Sequence, residues 1–191
     1  ALGEIGPGYG HFRVDDPKCF PVYEVARSLD IPLIIHAGPV NPPSAHLKYG
    51  DLQALDEVCI NFPELKIVLC HLGYPFYELA DFLLTKHPNL YADVSLLPGR
   101  AGTQIHAGGE PDVVYPYYQL DQPLHYYFSQ SGNIRDKLLW ATDNADHKTS
   151  IESFRGINGR LEKQGLPKIP DDAIERMFHE NWRKVFTKIP G

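Results

Sequence analysis

Three short apolar runs along the chain each end on a side chain that can bind a metal or transfer a proton. The runs cover residues 32–36, 66–71 and 137–143, and their last residues are His36, His71 and Asp143. Unbroken apolar runs of this length are typical of parallel strands that are covered on both faces. Because the carboxyl ends of parallel strands lie at one rim, the three side chains are expected to converge.

Strand-like and helix-like segments alternate along the whole chain. Further strands are predicted at residues 2–6 and 88–95, and the segments between strands have apolar residues at helical spacing. The sequence therefore predicts five strand–helix units.

Aspartates mark the predicted helix starts. Asp16 precedes a proline, Asp51 precedes an apolar stripe, and Asp172 has capping-box spacing to Glu175. Asp146 and the following histidine are predicted to start another helix rather than to add metal ligands. The last helix has an apolar stripe that consists of Ile174, Met177, Phe178, Trp182, Val185 and Phe186.

Repeated βα units of this kind form either an open doubly wound sheet or a closed barrel. The sequence has no G-x-G-x-x-G after the first strand and no Walker-type loop, so a nucleotide-binding open sheet has little support. A barrel of eight units takes about 250 residues, and this chain has 191. We therefore expect an α/β fold of (β/α)8 TIM-barrel type, as one domain over residues 1–191, with the first three units preceding Ala1.

Periodicity fails between residues 97 and 122. This segment holds four glycines and the aromatic run Tyr115-Pro116-Tyr117-Tyr118. Long loops of compact enzymes often form lids or substrate walls, and a packed surface loop is the alternative. Arg100 in this segment is interpreted either as a residue that binds a substrate carboxylate through two parallel hydrogen bonds or as an exposed loop residue.

Composition narrows the classes of partner. A formal net charge of −6 disfavours nucleic acid, because that partner needs a basic face. No apolar stretch approaches the roughly 20 residues that span a bilayer, and no signal segment starts at Ala1, so no membrane partner is expected. Cys19, Cys59 and Cys70 are odd in number and are interpreted as reduced thiols in a cytoplasmic protein.

Imidazole and carboxylate groups at one rim suit a divalent metal. His36 and Asp143 are two candidate ligands, and His71 is either a third ligand or a general acid or base. Taken singly, each histidine has a plainer explanation as a hydrogen-bonded loop residue, and Asp143 as a helix cap. Cys70 is expected to pack in the core, because alternation in a strand turns it away from His71. Ser95 has no histidine base beside it in the sequence, so a serine nucleophile is not expected.

Several motifs resemble those of the amidohydrolase superfamily, and the amidohydrolase-2 group of metal-dependent hydrolases and decarboxylases is the branch they resemble most. They are IPLIIHAG, FPELKIVLCHLG, HPNLYADVS, LLWATDNADH and IERMFHENWRKVF. The resemblance implies a distorted barrel with one or two divalent metals. It implies that His36 is the fifth-strand ligand, that His71 contacts substrate or activates water, and that Asp143 is the eighth-strand ligand or proton acceptor. Asn181 stands where the family places an asparagine.

Two features depart from the family pattern. The sequence contains no His-x-His, so either that first-strand pair precedes Ala1 or the chain cannot hold metal as the family does. Glu4 resembles the fourth-strand metal ligand of TatD-like nucleases, although the acidic chain disfavours a nuclease. Glu4 alternatively contacts substrate or forms a salt bridge at the rim.

These observations predict a metal-dependent hydrolase that acts on a small-molecule lactone, amide or ester through metal-activated water. The alternatives are a metal-dependent decarboxylase of the same family and a non-catalytic scaffold. Zinc is the expected metal, and the same ligands accept manganese, iron or cobalt. The predicted ligands are His36, His71, Asp143 and Glu4, with Asp143 and His71 as catalytic groups. The resemblance also implies a homodimer.

Overall fold

The computed structural model describes residues 1–97, 120–129 and 134–189, and its five strands form one sheet in which all neighbouring strands are parallel. The order of the strands in the sheet is their order in the chain. The strands are β1 (Leu2–Ile5), β2 (Leu33–Ile35), β3 (Ile67–Leu69), β4 (Leu90–Asp93) and β5 (Leu138–Leu139). Most of the predicted insertion, including Arg100 and the tyrosine run, lies outside the described residues.

The strand order decides between the two predicted folds. A doubly wound sheet reverses its strand order at a switch point, whereas each strand of a barrel is added beside the preceding one. The sequential order seen here is that of a barrel segment with five units, as the sequence predicts.

Helices connect the strands and follow the last of them. No helix within the described ranges is long and apolar enough to cross a membrane. The helices are α1 (Pro7–Gly10), α2 (Phe20–Ser28), α3 (Ala54–Asn61), α4 (Tyr77–Lys86), α5 (Asp121–Ser129), α6 (His147–Arg155), α7 (Ile157–Lys163), α8 (Asp171–His179) and α9 (Trp182–Val185).

Both faces of the sheet are packed. Alternate strand residues point to opposite faces. Leu33, Ile35, Ile67 and Leu69 face the helices that connect the strands, and all four are completely buried. On the opposite face a smaller cluster joins the sheet to the C-terminal helix, and it contains Ile34, Val68, Tyr91, Leu139, Trp182, Val185 and Phe186. This double coverage explains why the strands are continuous apolar runs in the sequence.

The first strand lies at an edge of the sheet. Within the described ranges β1 pairs with β2 alone, and Leu2, Gly3 and Glu4 are exposed. By contrast, every residue of β3 is buried. The strand that carries Glu4 is therefore packed less than its neighbours.

Two predicted helix caps are confirmed. The carboxylate of Asp16 accepts a hydrogen bond from the Lys18 backbone N–H at 2.9 Å, at the start of the 3-10 turn that leads into α2. Asp146 accepts one from the Thr149 N–H at 2.7 Å and begins α6. Asp146, and not Asp143, is therefore the N-cap of α6.

Two other predicted caps are wrong. Asp51 lies three residues before α3, and its carboxylate binds the Gln53 N–H at 3.0 Å in a turn ahead of the helix. Asp172 lies inside the first turn of α8, because the helix begins directly after Pro170. The Asp172 carboxylate lies 3.2 Å from the Arg176 guanidinium instead. The predicted last helix is also divided into α8 and α9.

Lys137 holds the end of α4 at the start of β5, opposite the rim. Its Nζ donates hydrogen bonds to the carbonyls of Leu84 and His87 at 2.5 Å each. Burial lowers the pKa of Lys137 to about 8. Lys137 therefore connects two elements of the core while part of its positive charge is desolvated.

We expect Lys137→Met to change how the free energy of unfolding depends on pH. The unfolded lysine keeps its proton up to about pH 10.4, so Lys137 stabilises the wild type increasingly as pH rises from about 8 towards 10. Because Lys137 is only half-buried, we expect this gain to be about 1 kcal/mol. Urea unfolding of both proteins at about pH 7 and about pH 9.5 measures it.

The difference between the two proteins cancels the contributions of groups that both share, apart from the electrostatic interaction between Lys137 and Cys59. Burial raises the pKa of Cys59 to about 12. A thiol of this kind lowers the free energy of unfolding as pH rises over part of the same pH range, which is the opposite of the effect of Lys137. Equal pH dependence in wild type and Lys137→Met would contradict the prediction.

Candidate active site

His36, His71 and Asp143 lie beside one another at the carboxyl ends of β2, β3 and β5. The ring centroids of the two histidines are 4.8 Å apart, with their planes at 80°. His71 Nε2 lies 4.0 Å from Asp143 Oδ2. The three side chains that follow separate strands in the sequence are therefore neighbours in the structure.

Glu4 joins this group from the neighbouring strand β1. Its Oε1 lies 2.7 Å from His36 Nδ1, and the edge of the Tyr9 ring lies against the same imidazole, at 5.9 Å between centroids. Histidines that bind metals commonly donate their second N–H to a carboxylate, which fixes the ring and its tautomer. The Glu4 contact thus leaves Nε2 as the nitrogen of His36 that can bind a metal.

His71 reaches the site through a turn in an uncommon backbone conformation. β3 ends at Leu69, and both His71 and Leu72 have left-handed dihedrals, with φ of 56° and 53°. Residues other than glycine rarely adopt this conformation. The backbone N–H of His71 donates to Asp93 Oδ1 at 3.1 Å, so a carboxylate on β4 holds the turn.

The side chains of Ser95 and Asp93 determine which nitrogen of His71 carries the proton. Ser95 Oγ lies 2.7 Å from His71 Nδ1 and also contacts Asp93 Oδ1. A carboxylate only accepts hydrogen bonds, so the single hydroxyl proton of Ser95 goes to Asp93. Ser95 Oγ must then accept the Nδ1–H of His71, and Nε2 carries the lone pair.

This Nε2 atom is buried and has no hydrogen-bond partner among the described residues. His71 is 4% exposed. Burial lowers the pKa of His71, against the opposing effect of the Asp93 carboxylate. A buried nitrogen without a partner costs about 1–3 kcal/mol. Nε2 of His71 is therefore placed to receive a metal or a substrate proton.

Cys70 also reaches the site, which corrects the expectation that it turns away from His71. The ligand atoms of Glu4, Cys70 and His71 all lie within 4.8 Å of one another. Cys70 follows the alternation of β3 onto the face of Val68, and the left-handed turn then brings His71 to the same side. Cys70 is buried but lies outside the main apolar cluster, and burial raises the pKa of its thiol.

The contact between Ser95 and His71 was not expected from the sequence. The two residues are 24 positions apart, and the motif ADVS shows only that Asp93 and Ser95 share one face of a strand end. Ser95 is 2% exposed, and its hydroxyl proton is donated to Asp93. The arrangement therefore gives no support to a serine nucleophile.

A comparison with known protein families assigns the chain to one of them. Residues 3–188 match the family model described as amidohydrolase. The chain belongs to the amidohydrolase family. This match confirms the resemblance that the sequence motifs indicate.

Amidohydrolase relatives and similar folds include proteins of more than one activity. A dihydroorotase from Nitrosococcus oceani is 27% identical over an aligned length of 186 positions, and the alignment covers 91% of this chain and 52% of that protein. An uncharacterised TIM-barrel protein, Bb4693 from Bordetella bronchiseptica, has a TM-score of 0.66 at 20% identity over 95% of this chain and 55% of its own. A dihydroxybenzoic acid decarboxylase from Polaromonas sp. JS666, with bound manganese and 2-nitroresorcinol, has a TM-score of 0.58 at 17% identity, with coverage of 92% and 55%.

These coverages show that the amidohydrolase chain spans about half the length of the proteins it matches. The structural likenesses support a partial α/β barrel, in agreement with the sequential strand order. At these identities the solved structures support the fold and carry no assignment of substrate.

Proposed function

We propose that this amidohydrolase is a metal-dependent hydrolase that cleaves a small-molecule amide, lactone or ester. The observation that carries the proposal is the buried, unpartnered Nε2 of His71, 4.0 Å from Asp143 Oδ2 and beside the His36 ring. One small volume thus contains a lone pair, a carboxylate and a second imidazole. Membership of the amidohydrolase family supports the same class of reaction.

The donor set of the site fits a divalent metal. His36 through Nε2, His71 through Nε2 and Asp143 through its carboxylate would hold the metal, and Glu4 would orient His36, with its second oxygen available as a further ligand. Zinc is the metal that we propose, and this set also accepts manganese, iron or cobalt. A metal bound there would polarise the substrate carbonyl and lower the pKa of a water molecule towards ~7.

The protein groups around this position account for the movement of protons. The Asp143 side chain is one-third exposed at the rim, where its carboxylate can take the proton of a water that attacks the carbonyl. The same proton then passes to the leaving nitrogen or oxygen as the bond from it to the carbonyl carbon breaks. Nε2 of His71 faces Asp143 and presents a lone pair rather than a proton.

The tautomer of His71 disfavours this residue as the proton donor that a decarboxylation needs. Decarboxylation replaces a carboxylate on carbon with hydrogen, so it requires a proton donor at that carbon. His71 donates Nδ1–H to Ser95 and has its pKa lowered by burial, so Nε2 acts as an acceptor. The tyrosine run that favours a planar aromatic acid lies outside the described residues.

We expect both His36→Ala and Asp143→Asn to lower the metal content of the purified protein by about tenfold or more, since each removes a proposed ligand. Elemental mass spectrometry after gel filtration measures the zinc and manganese that remain bound. His147→Ala is the matched control, because His147 is exposed at the first position of α6, four residues after Asp143.

Each outcome of the metal measurement decides between functions. Near-stoichiometric metal in wild type and His147→Ala that is lost in both ligand variants supports the enzyme. Metal retained by His36→Ala and Asp143→Asn contradicts the proposed site. A wild type without metal, even after incubation with zinc, is expected for a scaffold and also for a site whose His-x-His ligands precede Ala1. Metal analysis of a longer chain that includes such a strand then decides between the two.

A small panel of substrates separates hydrolysis from decarboxylation. Dihydroorotate, δ-valerolactone and p-nitrophenyl acetate represent the cyclic amide, lactone and ester, and 2,6-dihydroxybenzoate represents an aromatic acid. Turnover of one of the first three that depends on Asp143 supports the proposal. Release of carbon dioxide from the aromatic acid, without hydrolysis of the other three compounds, would contradict the proposal and show that the protein is a decarboxylase.

A further inference from the structure

We propose that Asp93 and Ser95 are positioning residues that fix the tautomer and the direction of His71, and that they thereby raise the affinity of the site for a divalent metal. The inference rests on the proposed function, because it concerns the nitrogen that would bind the metal. Neither residue is among the proposed metal ligands, and both would act through His71.

Hydrogen bonds join the two residues to His71 and to each other. Asp93 Oδ1 accepts the backbone N–H of His71 at 3.1 Å and the backbone N–H of Ser95 at 3.0 Å, together with the Ser95 hydroxyl. Ser95 Oγ in turn lies 2.7 Å from His71 Nδ1. One carboxylate oxygen thus holds both the turn and the hydroxyl group that accepts the hydrogen bond from the imidazole Nδ1–H.

Burial makes this set of hydrogen bonds specific. Asp93 is 7% exposed and Ser95 is 2% exposed, so water has little access to replace either partner of the imidazole. Leaving a buried donor unpaired costs about 1–3 kcal/mol. The arrangement therefore disfavours the tautomer with the proton on Nε2, because Nε2–H would be a buried donor without a partner among the described residues and Nδ1 would face the Ser95 oxygen with no proton between them.

Asp93 also stabilises an uncommon backbone conformation at His71. Left-handed dihedrals at residues other than glycine persist where surrounding contacts determine them. His71 and Leu72 in the turn that Asp93 holds have such dihedrals, and so does Leu96, three residues after Asp93 in the chain, with φ of 60°. The bond from the His71 N–H to Asp93 is the contact that directs the imidazole into the site rather than along the strand.

Substitution of Ser95 separates the tautomer from the turn. Ser95→Ala removes the acceptor of Nδ1–H but leaves the bond between the His71 backbone and Asp93. Ser95→Thr restores a hydroxyl at the same position. The matched control is Ser150→Ala, because Ser150 is also buried, at 3% exposure. Its Oγ accepts a hydrogen bond from Trp140 Nε1 at 3.2 Å and makes none with His71.

Long-range ¹H–¹⁵N NMR of the metal-free protein reads the tautomer directly, with His71 assigned by comparison with His71→Gln. We expect the proton on Nδ1 in wild type, Ser95→Thr and Ser150→Ala, and a population with the proton on Nε2 in Ser95→Ala. Competition titration with zinc should give a dissociation constant about 10–100-fold higher for Ser95→Ala, with near wild-type values in Ser95→Thr and Ser150→Ala.

Two results would overturn the inference. The first is a wild-type His71 with its proton on Nε2, and the second is a zinc affinity that is equal in wild type and Ser95→Ala. If neither the wild type nor the longer chain binds zinc, the proposed function fails, and so does the part of the inference that concerns affinity. The NMR spectrum then still decides whether Asp93 and Ser95 set the tautomer. Circular dichroism of all variants distinguishes these results from loss of the fold.

Discussion

His71→Gln should reduce kcat/KM for the panel substrate that the wild type hydrolyses fastest by about 10³-fold, because it removes a proposed ligand of a metal that would supply several kcal/mol of transition-state stabilisation. Glutamine has a similar reach but no basic nitrogen, so the lone pair that faces Asp143 at 4.0 Å is lost. Because the same nitrogen is the proposed metal ligand, the bound metal should fall as well. Steady-state kinetics in buffer with excess zinc separate the loss of catalysis from simple loss of metal.

His87→Gln is the control for this variant. His87 is buried to nearly the same degree, at 5% exposure, and its Nε2 lies 2.6 Å from Asp56 on the helix side of the sheet. Loss of that contact should lower the stability and leave kcat/KM within a few-fold of wild type. If His71→Gln keeps more than about a tenth of the activity, His71 is not the catalytic group.

Asn181→Ala should lower the free energy of unfolding by about 3 kcal/mol. Asn181 is 1% exposed, and its Nδ2 donates to the carbonyls of Arg135 and Leu138 at 2.9 Å each. The variant leaves the buried Leu138 carbonyl and the partly buried Arg135 carbonyl without this donor, and an unpaired buried carbonyl costs about 1–3 kcal/mol. For a chain of this length the loss corresponds to a melting temperature lower by about 9 °C, which differential scanning calorimetry measures.

An exposed asparagine with the same number of bonds provides the control for Asn181. Asn61 donates from Nδ2 to the Glu57 carbonyl and to the Glu57 carboxylate, at 2.9 and 2.7 Å, on the surface of α3. Asn61→Ala should change the stability by less than about 0.5 kcal/mol. Equal effects of the two variants would contradict the role of Asn181 in joining the C-terminal helices to β5.

The barrel character of the fold and the meeting of the two histidines could be predicted because both follow from parallel strands. Residues 32–36 and 66–71 are apolar runs that end on histidine, and a parallel sheet places those ends side by side. The structure brings the rings to 4.8 Å between centroids. The family match was foreseeable from the same motifs, because they follow the strand ends.

The surroundings of His71 could not be predicted, because they depend on contacts between residues far apart in the chain. The left-handed turn that brings His71 to the same side as Cys70 is held by Asp93, 22 residues later. Alternation in a regular strand predicts the opposite direction for neighbouring side chains. The cap at Asp172 failed for a local reason, since α8 begins directly after Pro170.

The contact between Glu4 and His36 makes the pairing of two strands part of the site. Glu4 lies on β1 and His36 directly follows β2, and the two side chains meet at 2.7 Å. The two strands are paired in parallel, and a slip of one residue between them would turn Glu4 to the other face of the sheet. The register of β1 on β2 therefore determines the orientation of an imidazole as well as the hydrogen bonds of the backbone.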